Sequence, residues 1–292
     1  MRSLERHSAN IFNLFLRPYL RKFETQSPAV VLRKSLALLD PGTINDIKKF
    51  VADRQHPSGG FTDRAGKADL YYSLFGFYLA QALEMNDILQ GTGEFVRNET
   101  GKSMPTGVNL KCAAILANEL TDDKKLIRKL LKNIHREFNE HKAKQAEYGA
   151  FLDLLVSYQT GDYIQALRIR KHLSKLNDPR ALPSTVLAAL IVLHSSFSKP
   201  VAELQDRLTV QFYSGGGFRA LKNTVTTDLL STAASLYALR FSEYDLTIIK
   251  PECLDSIDSL FKEGGFCGNK LDEETDLEYT FYGLLALGSL AD

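Results

Sequence analysis

Six helical hairpins closed into a ring, an all-α chain with an inner and an outer circle of helices, is the fold class that the amino-acid sequence predicts. Three observations carry it. A phrase recurs: Gly59-Gly60-Phe61 before Asp69-Leu70, Gly216-Gly217-Phe218 before Asp228-Leu229, and Gly264-Gly265-Phe266 before Asp276-Leu277. Apolar segments follow one another at the length of a helical hairpin. Strand signals are nearly missing, since no hairpin dipeptide stands between alternating β-branched runs.

In chain order, residues 1–42 form a helical extension and residues 43–292 the ring domain. The extension reads as two helices, about 4–23 and 28–39. Arg2, Arg6, Arg17, Arg21 and Lys22 flank Ile11, Phe12, Leu14, Phe15, Leu16, Tyr19 and Leu20. Such a basic amphipathic helix suits an anionic bilayer; packing on the ring or binding a protein partner fits the same pattern. Inner helices begin near 69, 109, 147, 184, 228 and 276, 37 to 48 residues apart. Each motif aspartate stands where an N-cap accepts from free helical N–H groups, and seven residues later comes a small residue, Gly76, Ser235 or Gly283. Paired glycines permit the tight turn before each Phe. Outer helices cover 43–54, 122–141, 162–176, 200–210 and 251–262. In 122–141 a stripe of Leu126, Ile127, Leu130, Leu131, Ile134 and Phe138 opposes Lys and Arg residues. The last repeat ends apolar, at Leu284, Leu285, Leu287 and Leu290, so closure against the first repeat covers it, whereas an open solenoid needs a polar cap there.

The 292 residues carry 36 Lys plus Arg against 35 Asp plus Glu, a net charge of +1. That balance removes the usual reason to propose nucleic acid as the main ligand. With 44% hydrophobic residues the chain can bury a substantial core. No run of about 18 apolar residues exists to span a membrane, and 11–16 is too short for a secretory hydrophobic region, so the expected location is cytoplasmic, with peripheral membrane contact an option. Cys112, Cys253 and Cys267 form no Cys-x-x-Cys pair and are expected as reduced thiols. His7, His56, His135, His141, His172 and His194 show no metal-ligand spacing.

Gly-Gly-Phe, a short loop, then Asp-x-x-Tyr/Ser-Thr/Ser opening an apolar helix resembles the repeat shared by protein prenyltransferase β subunits and squalene or terpene cyclases. The last copy, GGFCGNKLDEETDLEYTFYGLLAL, and the first, GGFTDRAGKADLYYSLFGFYLAQAL, are the better matches. The resemblance implies an α/α toroid whose central apolar cavity takes an isoprenoid. Prenyltransferases of this type hold zinc through an Asp, a Cys two residues on, and a His on another inner helix. Here Asp69, Asp228 and Asp276 are followed two positions on by Tyr71, Leu230 and Glu278, and three on by Tyr72, Ser231 and Tyr279. Neither the Cys nor the His is present, so no zinc and no other cofactor is expected. Class II cyclases use an Asp-x-Asp-Asp-Thr phrase with a neutral middle acid. The nearest phrase here is Asp276-Leu277-Glu278-Tyr279-Thr280, with Glu278 in the acid's place.

Candidate catalytic residues are therefore Asp276 and Glu278, in an acidic stretch with Glu273 and Glu274 that can raise one carboxyl pKa. Candidate substrate-binding residues are Arg64 and Lys67, Arg219 and Lys222, and Lys270, one set in each loop between Gly-Gly-Phe and Asp, where a diphosphate would be paired. Tyr72, Tyr279, Asp69 and Asp228 join them at the same helix starts, although the aspartates also suit plain capping and the lysines plain solvation. Trp is absent, so aromatic stabilisation of a cation falls to Phe and Tyr. Three functions stay open: a prenyltransferase-like isoprenoid-handling enzyme, a cyclase-like enzyme with Glu278 as acid, and a non-catalytic binding or scaffold toroid. The expected partner is an isoprenoid or other lipid-like small molecule. A second subunit is left open.

Overall fold

The computed structural model describes residues 21–140, 147–173 and 182–291; most of the helix expected at 4–23 lies outside them. The chain is all-α in class. Six helices are apolar on nearly every side: α4 (Leu70–Ala82), α6 (Gly107–Leu120), α8 (Glu147–Thr160), α10 (Ser184–Ser196), α12 (Leu229–Phe241) and α14 (Leu277–Leu290). A helix without a polar face is stable only when covered all round, and in α14 only Glu278 and Tyr279 escape full burial. Observed starts lie within two residues of the expected ones. The amphipathic partners are α3 (Pro41–Asp53), α5 (Asn86–Lys102), α7 (Lys124–Glu140), α9 (Tyr163–Leu173), α11 (Ala202–Thr209) and α13 (Lys250–Asp258).

Packing follows chain order. α4 lies on α6, α6 on α8, α8 on α10, α10 on α12, α12 on α14, and α14 returns to α4. The amphipathic helices cover this series: α3 on α4, α5 on α4 and α6, α7 on α6, α9 on α8 and α10, α11 on α10, α13 on α14.

One hydrogen-bond pattern fixes all three copies of the repeated phrase. The Phe61, Phe218 and Phe266 N–H groups donate to the hydroxyls of Ser73, Thr232 and Thr280 at 3.0, 2.9 and 3.2 Å. Those hydroxyls donate in turn to the Asp69, Asp228 and Asp276 carbonyls. Each aspartate carboxylate caps its helix, accepting from Tyr72, Ser231 and Tyr279 N–H at 2.7, 2.7 and 2.8 Å. The Phe side chain is thereby pressed onto the inner helix where a side chain is missing, Phe61 over Gly76 and Phe266 over Gly283; Ser235, at the matching place, is wholly buried. The first glycine of the phrase is required by both space and conformation. Gly59 has φ +90°, and a Cβ there would lie 2.2 Å from the Gly91 carbonyl oxygen of α5.

Three features differ from the sequence reading or add to it. The amphipathic helix α5 was not anticipated: Gly91, Gly93 and Gly101 lower its intrinsic propensity, but Gly91 and Gly93 sit against the Gly59 turn and the Leu120 carbonyl, where bulk is not tolerated. Short strands line the loops, β1 (Phe61–Thr62) with β2 (Ala68–Asp69), and β3 (Phe261–Lys262), β4 (Gly265–Cys267) and β5 (Thr275–Asp276) in one antiparallel sheet. They are extensions of the motif turns and too short to leave a period in the sequence. Finally, the described part of the 1–42 extension, α1 (Arg21–Gln26) and α2 (Pro28–Ser35), is built into the core. α2 lies on α4 and α14, so close that a Cβ at Gly288 would be 1.9 Å from the Val31 carbonyl oxygen. Phe23 is fully buried, its ring 5.1 Å from those of both Tyr158 and Phe241.

Gly59→Ala is expected to lower stability by about 2 kcal/mol or more, because it combines backbone strain with a clash against backbone. A shift of the urea midpoint at unchanged slope checks this.

Candidate functional site

An apolar cavity of about 90 Å³ lies where the six apolar helices converge, and every one of them contributes to its wall. One side is aromatic: Tyr71, Phe75 and Tyr78 of α4 face Phe281 and Tyr282 of α14, with the Phe75 ring 5.1 Å from Phe281 and 4.8 Å from Tyr71. The rest of the lining mixes Ala188 and Ala189 of α10 and Ala234 of α12 with larger side chains, among them Phe151 and Leu155 of α8 and Tyr237 of α12. Pro28 of α2 also lines it. Polar atoms are turned away: the Tyr78 hydroxyl accepts from Gln159 Nε2 at 2.7 Å, and the Tyr237 hydroxyl donates to the Gln26 carbonyl at 2.7 Å. Cys112 also lines the space, but burial pushes its thiol up to about 12, so it is held as an inert thiol.

At the N-terminal end of α4 and α14, beside the cavity, the first and last copies of the phrase are joined by Arg64. Its guanidinium makes two bonds to Asp272, at 3.0 and 2.7 Å, one from Nε to Asp276 Oδ2 at 2.7 Å, and one to the Glu274 carbonyl at 3.0 Å. It also lies 5.4 Å from the centre of the Tyr279 ring. The hydrogen bonds from Arg64 hold the Asp272 carboxyl down at about 2, and the two aspartates hold Arg64 firmly protonated. Next to this pair, Glu278 accepts from the Tyr71 hydroxyl at 2.8 Å. Burial raises the Glu278 carboxyl above its ordinary value; the Tyr71 bond opposes the rise and the charge of Asp276 adds to it. Burial also raises Asp69, against the bond from Tyr72 N–H. Tyr72 is raised by burial and then by the charges of Asp276 and Glu278, and Tyr279 by burial and then by Glu278.

The structure thus gathers Arg64, Asp69, Tyr72, Asp276, Glu278 and Tyr279 at one seam. It does not gather the other candidates there. Asp228 caps α12. Arg219 lies 5.5 Å over the Tyr213 ring, and Lys67, Lys222 and Lys270 are exposed on their loops. The expectation that Arg64 pairs a diphosphate meets a specific obstacle: its donors are already shared between two carboxylates and a carbonyl, in surroundings that are net acidic. Two participants were missed, Tyr71 and Asp272. Their signal was complementary charge in two equivalent loops, Arg64 in the first copy and three acids in the last, which is informative only once the two copies are known to touch. Among the described residues, no group of three or more His, Cys, Asp or Glu side chains stands where it could hold a metal ion. No helix among them is long and apolar enough to cross a membrane.

Arg64→Ala leaves the Asp276 side chain, only 5% exposed, without its cation, and is expected to cost about 1–3 kcal/mol at pH 7. Asp272 is depressed in the folded chain. The stabilisation it draws from Arg64 is therefore complete above its ordinary value of 3.8 and lost as the pH falls towards about 2. The difference in urea midpoint between wild type and Arg64→Ala is expected to narrow across that interval. Glu278 has the opposite sign. Its carboxyl is raised, so ionising it above the ordinary value of 4.5 opposes folding. Glu278→Gln is expected to raise the melting temperature at pH 7, with the gain vanishing below pH about 4.

Comparison with models of protein families, with curated proteins and with solved structures finds no match to this chain.

Proposed function

We propose that the chain is an α/α toroid that handles an isoprenoid-like, apolar chain in its axial cavity, with its working polar groups at the seam of the first and last repeats. The observation that carries this reading is the convergence of all six apolar helices on one apolar cavity lined by several aromatic rings. The return of α14 to α4 supports the closed ring. The resemblance of the Gly-Gly-Phe phrases to prenyltransferase and cyclase repeats supports the ligand class.

Of the two chemistries that resemblance offers, acid catalysis suits these residues better. Glu278 is a carboxyl with a raised pKa, bonded to a tyrosine that lines the cavity. Burial favours the protonated form of such a carboxyl, and in that form it can deliver a proton to an alkene and be left as a carboxylate bonded to the Tyr71 hydroxyl, while the rings of Phe75 and Phe281 can stabilise the resulting positive charge. Transfer from a prenyl diphosphate would instead need Arg64 released from Asp272 and Asp276.

A second reading, the non-catalytic scaffold, is favoured by one number. The cavity of about 90 Å³ is smaller than the roughly 300 Å³ at the lower end of ligand sites, so a chain longer than a small branched group enters only if the aromatic wall moves. The readings separate by filling the space. Ala189→Leu is expected to abolish saturable binding of a fluorescent isoprenoid alcohol while leaving the fold intact. No saturable binding by the wild type selects the scaffold. Glu278→Gln is expected to retain that binding and lose product formation from an isoprenoid alkene; unchanged product formation rejects the acid.

A further inference from the structure

Charge is balanced over the chain but not along it. α7 carries six Lys or Arg against two Glu, whereas the whole chain is +1, so the remainder is net acidic. At 100° per residue, Lys124, Arg128, Lys132, Lys125, Arg136 and Lys129 fall within an arc of about 140°, over a length of about 18 Å. That arc opposes Leu130, Ile134 and Phe138, which are buried against the ring. All six side chains are exposed. Among the described residues only Arg136 has an ion-pair partner, Glu140 at 3.9 Å. The neighbouring outer helix extends the surface. His135 of α7 is bonded to Asp162 just before α9, and the Phe138 ring lies 6.0 Å from that of His172. α9 then adds the exposed Arg168 and an isoleucine, Ile164, that is 59% exposed.

We propose that this face of α7, together with the exposed Ile164 of α9, docks the protein on an anionic lipid bilayer. Three properties favour a bilayer over other polyanions. The cations are mostly lysines, point charges that suit diffuse negative charge better than a bidentate site does. The helix is packed flat on the ring and so cannot enter a groove to read base edges. The described surface of α7 and α9 exposes no aromatic ring on which a single-stranded base would stack. An isoleucine exposed on the adjoining helix has a use at a lipid interface, and a cluster of this size is in the range that binds acidic headgroups. The proposal is independent of what fills the axial cavity.

The test is co-sedimentation of the full chain with phosphatidylcholine vesicles that contain about 30% phosphatidylserine, or none, at about 100 mM and about 500 mM salt. Binding is expected only with phosphatidylserine and only at the lower salt. The triple variant K125A/K129A/K132A, at exposed positions where circular dichroism should stay unchanged, is expected to lower the partition coefficient by about a hundredfold. Ile164→Ser is expected to lower it severalfold. Equal binding to neutral vesicles overturns the proposal, and so does an unchanged triple variant, which would place the contact elsewhere on the chain. Absence of vesicle binding together with salt-sensitive binding to duplex RNA or to polyglutamate also overturns it.

Discussion

A helix that is apolar on nearly every side cannot leave any broad face in water, and the described residues contain six of them. Each needs a neighbour on both flanks and a cover behind. Each of the six contacts the next in chain order, and α14 also contacts α4, which gives the first and the last of them a second apolar neighbour. The amphipathic helices then have one task, to present a single stripe inward and charge outward. α7 does this with three fully buried residues in seventeen. Leaving one apolar helix uncovered would expose several large side chains, each worth about 1.5–3 kcal/mol of burial, against a total stability of only about 5–15 kcal/mol for a domain.

The Gly-Gly-Phe phrase is the local device that holds an apolar helix to an amphipathic one. Its parts act in series: a left-handed glycine brings the turn onto outer-helix backbone, the Phe N–H bonds to a Ser or Thr hydroxyl, and the aspartate caps the helix that follows. The same residues occupy the end of the helices where the seam lies. Structure and prospective chemistry therefore share Asp276, whose Oδ1 caps α14 while its Oδ2 receives Arg64. Glu278 is not used as a cap; it accepts from the Tyr71 hydroxyl instead, and burial raises its carboxyl above the ordinary value.

Arg64 shows why site residues are harder to read than folds. In the sequence it stands 208 residues before Asp272 and looks like one more solvated loop cation. In the folded chain it is the tie between the two ends of the helical series, neutralised by Asp272 and Asp276. Tyr71 changes meaning in the same way. It stands two positions after a motif aspartate and looks like part of the apolar helix, yet its hydroxyl serves Glu278 on another helix. α5 was missed for a related reason: its glycines weaken the local signal, and the contact with the Gly59 turn that requires one of them is not local.

The sequence by itself determined the helical class, the places where the inner helices begin, the caps at Asp69, Asp228 and Asp276, and the basic face of α7. All of these depend on residues within one or two turns of each other, and period and capping chemistry are written at that range. The tertiary structure alone decided that Arg64 meets Asp272 and Asp276, that Tyr71 meets Glu278, that Phe23, Val31 and Leu32 join the core, and that the six apolar helices leave a space of about 90 Å³ between them. Those outcomes rest on side chains from distant repeats filling, or failing to fill, a common volume. Whether Ala189 leaves a gap is fixed by what stands opposite it, and no spacing along the chain records that.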